Sequence, residues 1–362
     1  MQVIELVLDH INERLLQGVN IIYGAGYNGK LLYDKLREKD INIFAFYDDD
    51  SSRWGEQYCG REIISRERFS KIDDENTNIV ISSMYVGQIL EKLQYLQKGQ
   101  IFTAIEILLQ KDTEDFHFSE YQHNKQYIEE LNWLENQFDD ALSRSYYQIL
   151  RETVLIGKAL PLICDLYCGE PQYFLDTIKE KINSVNVLDA GAYTGDTVRQ
   201  MFSCGIEPDT IYSFEADKNN YYKLIKTREK FKDKAKWICE NKALWNENTI
   251  LGMKFDNYNA RIDVNSSDMS VEAVTIDDYF QDKDIGFIKM DIEGAELNAL
   301  KGGISIIKRC RPILAISMYH GLEDMVKVPK LLMKELREYK FMIRHHSYTY
   351  SETVFYGIPM EL

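Results

Sequence analysis

The sequence predicts an α/β protein with two parallel-sheet domains and a helical segment between them. Strand-like and helix-like segments alternate over residues 1–110 and again from about residue 184, and such alternation is typical of a parallel sheet covered by helices. Residues 111–180 have almost no glycine and place apolar residues at helical spacing. We therefore predict a first domain over 1–110, a helical connector or cap over 111–180 and a second domain over 181–362.

The first half of the chain alternates short apolar runs with amphipathic stretches. The runs "VNIIYGAG", "INIFAFYDDD" and "NIVISS" are typical of strands, and "NGKLLYDKLREKD" and "VGQILEKLQYLQKG" are typical of helices. The opening "MQVIELVLDHINERLL" predicts an amphipathic helix. Because it carries acidic residues early and lacks a basic start with an apolar middle, it does not resemble a signal peptide.

The second half returns to strand signals. They are "VNVLDAG", "TIYSFEAD", "AKWICENKAL", "IGFIKMD" and "RPILAISM", followed by "KFMIRHHS" and "TVFYGIP". A short polar stretch joins the last two, which predicts an antiparallel pair that closes the sheet. The segment between residues 249 and 275 predicts an extra hairpin. His345 and His346 are adjacent, so we expect at most one of them to point inward from its strand.

Composition and charge restrict the class of protein. The 362 residues carry a formal net charge of -15, which argues against a nucleic-acid partner because such a partner needs a basic surface. No apolar run reaches the ~18 residues of a membrane span. The six cysteines form no CxxC pair, which is typical of free thiols in a reducing compartment. We therefore expect a cytoplasmic protein, and a homo-oligomer is left open.

Two glycine loops share one spacing. The first is "NIIYGAGYNGKLL" and the second is "NVLDAGAYTGDTV". Gly24 lies 24 residues before Asp48, and Gly191 lies 24 residues before Glu215. In each case the acid ends the next strand, and a carboxylate at that position suits the hydroxyls of a ribose. The spacing predicts two halves with a nucleotide-binding design.

The residue at the end of the first strand separates the two loops chemically. Asp189 stands two residues before Gly191, where its carboxylate would repel a pyrophosphate and favour a cationic ligand. S-adenosylmethionine has no phosphate and carries a sulfonium and an ammonium. The second loop fits this ligand, since Gly191 and Gly195 allow close backbone approach.

The first loop has no acid at the corresponding place. Tyr23 precedes a complete GxGxxG, which is formed by Gly24, Gly26 and Gly29. The N-terminus of the following helix favours an anion, so the implied ligand is a dinucleotide or a nucleotide-sugar with Asp48 at its ribose. The alternative is a loop that only packs helix against sheet, because GxGxxG alone is weak evidence.

The densest motif of the chain is "FIKMDIEGAELNALKGG". Asp291 and Glu293 follow its strand at the edge where open α/β sheets bind ligands, so they could bind a hydroxyl, act as a base or hold a divalent cation. Helix capping is the alternative, and Glu296 is expected to complement the helix dipole. His320 ends the next strand and is a candidate general base, with a surface histidine as the alternative. We expect Lys289 to form a structural ion pair.

Taken together, these motifs resemble the FkbM family of S-adenosylmethionine-dependent methyltransferases. The matching runs are "EPQYFLDTIKEKINSVNVLDAGAYTGDTVRQM", "IYSFEAD", "VTIDDYF", "IKMDIEGAELNALKGG", "ISMYHGLEDM" and "RHHSYTYSETVFYGIP". The resemblance covers about residues 165–362 and implies a class I methyltransferase fold and O-methylation, often of a sugar hydroxyl. It implies that the cofactor contacts Asp189, Gly191, Tyr193, Gly195, Glu215 and, near the adenine, Asn241. Tyr193 stands where many methyltransferases have glycine.

Residues 1–110 are similar, more loosely, to the Rossmann-like domains fused to sugar-modifying enzymes. The run "FYDDDSSRWGEQYCGREIIS" resembles their second strand, its acid and the turn-rich segment that follows. This resemblance implies binding of a nucleotide or a nucleotide-sugar. The fold class is thus two Rossmann-like parallel-sheet domains joined by a helical connector.

The leading hypothesis is an O-methyltransferase that acts on a carbohydrate, a nucleotide-sugar or a glycosylated acceptor. Asp291 or His320 would be the base, and Asp291 and Glu293 would orient the acceptor, with Mg²⁺ left open as a further cofactor. Tyr173 and Phe174 are expected near the acceptor, because aromatic rings stack on sugars.

Two other functions are left open. A nicotinamide-dependent sugar oxidoreductase or epimerase would use the first loop, but no Tyr-x-x-x-Lys pair follows that loop, since Tyr85 is followed four places later by Ile89. A non-catalytic scaffold would bind S-adenosylmethionine or a nucleotide-sugar without chemistry. The carboxylates and the histidine gathered at the second crevice argue against it.

Overall fold

The computed structural model describes residues 3–6, 13–72, 74–83, 85–94, 98–256, 259–263 and 269–362. The chain divides into two compact units. The first comprises Met1–His123, Glu152–Gly169 and Ser347–Tyr350, and the second comprises Asn124–Arg151, Glu170–His346 and Ser351–Leu362. Each unit is built on a largely parallel sheet, which confirms the predicted fold class.

The first unit contains seven strands among its described residues. They are β1 Val3–Glu5, β2 Val19–Tyr23, β3 Ile43–Tyr47, β4 Gln57–Tyr58, β5 Arg61–Ile64, β6 Thr77–Ile81 and β7 Gln100–Thr103. Their order in the sheet is β1-β7-β6-β2-β3-β5-β4, and β4 pairs with β5 in antiparallel fashion whereas the other pairs are parallel. The strand order reverses between β2 and β6, and ligands of open α/β sheets bind at such a point.

Helices lie on both faces of this sheet because its strands are apolar on both faces. Ile22 and Val80 belong to one buried cluster, and their chain neighbours Ile21 and Ile79 belong to the other, as strand alternation requires. The helices of the unit are α1 Glu13–Gln17, α2 Tyr27–Glu38, α3 Arg66–Lys71, α4 Val86–Lys92, α5 Ile105–Phe116 and α6 Phe118–Tyr121. Short 3₁₀ helices cover Ser51–Arg53 and Pro161–Leu166.

The beginning of the chain differs from the predicted amphipathic helix. Val3–Glu5 is a strand that pairs in parallel with β7, from Val3 opposite Ile101 to Glu5 opposite Thr103. The described helix is Glu13–Gln17, and residues 7–12 of the predicted helix lie outside the described residues. A short apolar run satisfies either periodicity, and the sheet edge offered by β7 decides in favour of a strand.

The second unit contains eleven strands among its described residues. They are β8 Val187–Ala190, β9 Thr210–Phe214, β10 Lys236–Glu240, β11 Ala243–Leu244, β12 Thr249–Asp256, β13 Asn259–Ile262, β14 Met269–Val274, β15 Phe287–Met290, β16 Ile313–Ser317, β17 Tyr339–His345 and β18 Thr353–Pro359. The main sheet has the order β10-β9-β8-β15-β16-β18-β17. Its last strands, β17 and β18, form the predicted antiparallel pair that closes the sheet. The order reverses between β8 and β15, which places a ligand crevice at their carboxyl ends.

A smaller sheet accompanies the main one, in the order β11-β14-β12-β13. β12 pairs in antiparallel fashion with both β13 and β14, which confirms the extra hairpin between residues 249 and 275. Residues 257–258 and 264–268 of this segment lie outside the described residues.

The remaining helices are α7 Lys125–Glu135, α8 Ala141–Ile156, α9 Asp196–Ser203, α10 Lys218–Lys230, α11 Ile276–Tyr279, α12 Glu296–Lys301, α13 Ile304–Cys310 and α14 Asp324–Glu335, with a 3₁₀ turn at Lys179–Ile182. The predicted connector is therefore helical over much of its length. The division into units runs through α8, since Asn124–Arg151 belongs to the second unit and Glu152–Gly169 to the first. The domain limits at residues 110 and 180 stay a prediction. Over the described residues, no helix combines the length and apolar character that a membrane span requires.

Candidate active site

The second glycine loop connects β8 to α9 at the carboxyl edge of the second unit's main sheet. Gly191 follows β8 with φ of 75°, and a Cβ atom there would lie 1.7 Å from the carbonyl oxygen of Asp291. Only glycine tolerates this approach, and glycine adopts this φ value without strain. Gly195 is the N-cap of α9 and ends the loop. The loop is thereby packed directly on the residue that follows β15.

Tyr193 lies in the middle of this loop. Its φ of 48° is a left-handed conformation, which is unfavourable for a residue with a side chain. Its N–H donates to Oε2 of Glu215 at 2.7 Å, and its side chain is 51% exposed. Strained residues of this kind cluster at binding and catalytic sites. Tyr193 therefore presents an aromatic ring to solvent from a constrained loop.

Glu215 follows β9 and is almost fully buried. One carboxylate oxygen accepts the N–H of Tyr193, and the other accepts the N–H of Asp217 at 2.8 Å. Burial raises the pKa of Glu215 to about 7, although these backbone donors act in the opposite direction. Asn241 donates from Nδ2 to the carbonyls of Glu215 and Ala216 at 2.9 and 3.1 Å. Both side chains thus order the backbone of the crevice.

Asp189 lies inside β8 with no exposed surface. The parallel register sets it beside Lys289 of β15, whose Nζ lies 3.4 Å from Asp189 Oδ1. Ser213 Oγ donates to Asp189 Oδ2 at 3.0 Å. This is the structural ion pair predicted for Lys289, and it lies within the sheet beneath the glycine loop.

The ammonium of Lys289 reaches the glycine loop itself. Its Nζ donates to the carbonyls of Ala190 and Gly191 at 3.1 and 2.6 Å. Burial would lower the pKa of Lys289, but the charge of Asp189 raises it above its usual value, so the ammonium stays charged. Asp189 therefore acts on the loop through Lys289.

Asp291 lies at the end of β15, and its side chain is 22% exposed. Tyr173 donates to Oδ2 at 2.8 Å, and Tyr319 donates to the same oxygen at 3.3 Å. Nε2 of His320 lies 3.1 Å from Oδ1. Burial would raise the pKa of Asp291, but the hydrogen bond and charge of His320 hold it well below its usual range. Asp291 is therefore an ionised carboxylate with a face open to the crevice.

His320 lies between two carboxylates. In addition to Asp291 at Nε2, Glu296 Oε1 lies 3.0 Å from Nδ1. Burial would lower the pKa of His320, but the charge of Glu296 and the interaction with Asp291 raise it well above its usual value. His320 is thus an imidazolium, and the surface position that the sequence left as an alternative is not observed, since its side chain is only 4% exposed.

The sequence predicted that Glu296 complements a helix dipole, and the structure gives it a further role. Its side chain is fully buried and accepts the N–H groups of Ile292 and Gly294 at 2.7 and 3.0 Å. These bonds hold the turn in which Glu293 has φ of 57°. Glu293 Oε2 lies 3.8 Å from Nε2 of His320. A strained turn therefore follows β15. Glu296 binds its N–H groups, and His320 lies next to Glu293.

The carboxylate–histidine cluster is a poor fit for magnesium. Ligand atoms of Asp291, Glu296 and His320 lie within 4.8 Å of one another. Mg²⁺ prefers oxygen ligands, whereas the central group here is an imidazole, and the Glu296 oxygens already accept two backbone N–H groups. The donor set fits a proton held between two carboxylates.

The first glycine loop lies at the carboxyl edge of the first unit's sheet, between β2 and α2. Gly24 has φ of 107°, and Gly26 is the N-cap of α2. A Cβ atom on Gly29 would lie 2.0 Å from the carbonyl oxygen of Gly24, so glycine is needed there for helix and loop to pack.

The polar groups of the first loop are bound by the unit's own side chains. Asp48 accepts the N–H of Ala25 at 2.8 Å. Arg53 donates to the carbonyl of Ala25 at 2.9 Å, and Tyr58 donates to the carbonyl of Gly26 at 2.9 Å. The guanidinium of Arg53 also lies over the ring of Tyr58. The loop is thus braced from its own unit.

The predicted site residues of the second unit lie around one crevice. The predicted residues of the first glycine loop lie in the first unit. Sequence reasoning did not identify the buried Ser213, and it placed Glu296 in the first turn of its helix without its hydrogen bonds to the preceding turn. A signal for Glu296 was present, because an acid three residues after Glu293 in a Gly-containing turn can reach back to the turn's own N–H groups.

Comparisons with known proteins find methyltransferases. The family model described as the methyltransferase FkbM domain matches residues 189–349. Among solved structures, the chain resembles methyltransferase FkbM from Methylobacillus flagellatus KT with a TM-score of 0.56 and 20% identity, over 95% of this chain and 91% of that chain. A putative rRNA-methylase from Clostridium thermocellum also matches, with a TM-score of 0.32 and 13% identity over 51% and 92% of the two chains. A search of curated proteins finds no significant match. Residues 189–349 therefore match the FkbM methyltransferase domain, which confirms the resemblance to that family drawn from the sequence, whereas the resemblance drawn for residues 1–110 stays a prediction.

Proposed function

We propose that the protein is an S-adenosylmethionine-dependent O-methyltransferase that methylates a hydroxyl of a sugar or of a glycosylated acceptor. The observation that carries the proposal is the ionised, partly exposed carboxylate of Asp291, held next to the glycine loop that contacts its backbone. The match to the FkbM domain supports methyl transfer, and the resemblance to that family supports a sugar hydroxyl. We assign this activity to the domain predicted over residues 181–362.

The chemistry of the crevice fits a cationic cofactor. Three carboxylates lie at the carboxyl ends of β15 and β9, those of Asp291, Glu293 and Glu215. They would repel a pyrophosphate. Bound S-adenosylmethionine would supply a methyl group on a sulfonium, which an acceptor oxygen can displace. Gly191, Tyr193 and Gly195 would contact it through the loop, Glu215 would accept its ribose hydroxyls, and Asn241 would lie near the adenine. Asp189 would act through Lys289 and the loop carbonyls.

Asp291 suits the acceptor side of the reaction. An acceptor hydroxyl can donate to its carboxylate, which orients the oxygen lone pair for in-line attack. The new bond forms between the acceptor oxygen and the methyl carbon, the carbon–sulfur bond breaks, and its electron pair stays on sulfur. The hydroxyl becomes strongly acidic as the new bond forms, so even a carboxylate with a low pKa can accept its proton. Asp291 is therefore our proposed base.

His320 suits a different role from the base that the sequence also allowed. As an imidazolium between Asp291 and Glu296 it has no lone pair to accept a proton. Its charge keeps Asp291 ionised and fixes the orientation of the carboxylate. Glu293 lies on the strained turn beside it and would contact a further acceptor hydroxyl. No step of this reaction passes through Mg²⁺.

In this proposal the first glycine loop only packs its helix against the sheet. Asp48, Arg53 and Tyr58 bind the loop's own polar groups, so the domain predicted over residues 1–110 keeps a nucleotide-binding design without a nicotinamide reaction. The net charge of -15 supports a small-molecule or carbohydrate acceptor over nucleic acid.

The proposal is tested with methyl-labelled S-adenosylmethionine and a panel of acceptors. The panel contains free hexoses and deoxyhexoses, UDP-glucose, and a glycan polymer, with bulk RNA as a comparison. We expect labelled methyl ether on a carbohydrate and a fall of about 10²–10⁴-fold in Asp291→Asn. Asp34→Asn, an exposed acid of α2 that pairs with Lys30, is the control and should retain full activity. Labelled RNA with unlabelled sugars would overturn the acceptor class, and undiminished transfer by Asp291→Asn would overturn the role of Asp291.

A further inference from the structure

Tyr173 contacts the carboxylate of Asp291, although Tyr173 lies in a part of the second unit outside residues 189–349, which the family model matches. Its hydroxyl donates to Asp291 Oδ2 at 2.8 Å. The same hydroxyl oxygen accepts from Gln172 Nε2 at 3.1 Å and lies 3.3 Å from Ser317 Oγ. All hydrogen-bonding positions of this hydroxyl are therefore used, and its single proton goes to Asp291.

The backbone of Tyr173 is held in an unfavourable conformation. Its φ is 71°, and a bulky residue with this value is a true outlier that persists only where its surroundings enforce it. Its N–H donates to the hydroxyl of Tyr356 on β18 at 3.2 Å. Gln172 is anchored as well, since its Nε2 donates to Glu352 at 2.8 Å. The closing hairpin therefore fixes the place from which Tyr173 approaches Asp291.

Tyr173 and His320 hold the two oxygens of one carboxylate. Tyr173 binds Oδ2, and His320 lies at Oδ1. Tyr173 donates to one oxygen and the ring of His320 lies against the other, so both oxygens of the carboxylate contact fixed side chains. The ring of Tyr173 also lies 5.5 Å from the ammonium of Lys289, the group that binds the carbonyl of Gly191. The same side chain thus contacts the acceptor-side carboxylate and the cation that supports the glycine loop.

We propose that Tyr173 is a positioning residue for methyl transfer, which orients the carboxylate of Asp291 through its hydroxyl. The role in methyl transfer rests on the proposed function. The hydrogen bond between the Tyr173 hydroxyl and the Asp291 carboxylate can be tested without any acceptor. Tyr173 itself contacts neither reacting atom in this account. Removal of the hydroxyl leaves the ring, its packing and the backbone strain in place, so Tyr173→Phe isolates the proposed role.

The test compares Tyr173→Phe with Tyr339→Phe. Tyr339 is a buried tyrosine of the same unit whose hydroxyl donates to the carbonyl of Pro312 at 3.0 Å, so its replacement removes one buried hydrogen bond that does not involve Asp291. Protein with ¹³C-labelled aspartate is titrated by NMR, with the Asp291 carboxyl carbon assigned from Asp291→Asn. We expect the Asp291 titration in Tyr173→Phe to move to higher pH by about one to two pH units, because the carboxylate loses a donor. The curve of Tyr339→Phe should superimpose on the wild type.

Superimposed Asp291 curves in the wild type and Tyr173→Phe would overturn the inference. Tyr319→Phe provides a second variant, and it should move the titration less, since its hydroxyl lies at 3.3 and 3.5 Å from the two oxygens. Calorimetry with S-adenosylmethionine separates this result from the proposed function. We expect equal affinity in the wild type and Tyr173→Phe with a turnover at least tenfold lower on the acceptor that the wild type methylates. Absence of cofactor binding by the wild type would overturn the proposed function, while the titration would still decide the role of Tyr173.

Discussion

The two glycine loops of this chain have the same framework and different surroundings. Each follows a buried strand at a point where the strand order reverses, and in each a carboxylate from the next strand accepts a loop N–H: Asp48 binds Ala25, and Glu215 binds Tyr193. The acid at the 24-residue spacing therefore orders the loop in both units. The shared framework does not by itself define a ligand site.

The difference lies on the neighbouring strand. After β15 the second unit presents Asp291, part of a cluster with His320 and Glu296 that faces the crevice. After β6 the first unit presents Ser82, whose hydroxyl donates back to the carbonyls of Tyr23 and Gly24. The second crevice thus carries a partly exposed carboxylate after the neighbouring strand, whereas the polar group at the corresponding place in the first unit is bound within the loop. Chemistry depends on the strand beside the loop more than on the loop.

The largest effect is expected from Gly191→Ala. The new Cβ would overlap the carbonyl oxygen of Asp291, and alanine would also have to adopt φ of 75°, so we expect a loss of about 3–6 kcal/mol in stability and no cofactor binding. Gly26→Ala in the first loop is the matched control, because nothing lies within 4 Å of its Cβ position. Urea unfolding and calorimetry measure both. Equal tolerance of the two substitutions would show that the second loop is not packed on Asp291.

A similarly large effect is expected from Lys289→Met. The substitution leaves Asp189 buried without its cation, which costs about 3–5 kcal/mol. Adding Asp189→Leu should restore much of the stability, since a buried ion pair can be replaced by apolar side chains at little cost. Denaturant unfolding of both variants measures this. A double variant as unstable as Lys289→Met alone would contradict the pairing.

Glu215 should make stability depend on pH. Burial raises its pKa from 4.5 to about 7, so the folded protein binds this proton more tightly than the unfolded chain. The contribution therefore becomes unfavourable as pH rises from about 4.5 to about 7, by up to about 3 kcal/mol, and is constant above that range. We expect the stability difference between Glu215→Gln and the wild type to change by this amount between pH 4.5 and pH 8. A constant difference would indicate that Glu215 is ionised throughout.

The smallest effect is expected from Tyr193→Gly. Glycine adopts φ of 48° without strain, so the variant should gain about 1 kcal/mol in stability relative to the wild type. It also loses the exposed ring, so we expect weaker binding of S-adenosylmethionine or of the acceptor. Tyr193→Phe should retain both binding and strain. Thermal unfolding and calorimetry measure the two properties, and a variant that gains stability without any loss of binding would assign Tyr193 a purely structural role.

The sequence was sufficient for the fold and for the grouping of residues from parallel strands. Alternating elements predicted both sheets, and strand ends predicted that Asp291 and His320 lie together, because β15 and β16 are neighbours. Aromatic chemistry predicted Tyr173 and Phe174 near the acceptor; Tyr173 contacts Asp291, whereas Phe174 is fully buried and packs against Phe287. The contact is a hydrogen bond from the hydroxyl, which residue type alone did not reveal.

Features that depend on turns were not predicted from the sequence. Glu296 is buried because the turn from Ile292 to Gly294 folds back over it, and first-turn position alone predicts exposure. At most one of His345 and His346 was expected to point inward, and both are buried, His345 beside Thr353 and His346 beside Tyr356. β17 ends at His345, so strand alternation no longer applies to the next residue.

The most direct test of the account is calorimetry with S-adenosylmethionine, NAD and UDP-glucose on the wild type, Glu215→Ala and Asp48→Ala. The account predicts micromolar binding of S-adenosylmethionine that is lost only in Glu215→Ala, and no binding of NAD or UDP-glucose. Absence of S-adenosylmethionine binding by the wild type, or binding of NAD or UDP-glucose that Asp48→Ala abolishes, would contradict it and assign the working site to the first loop.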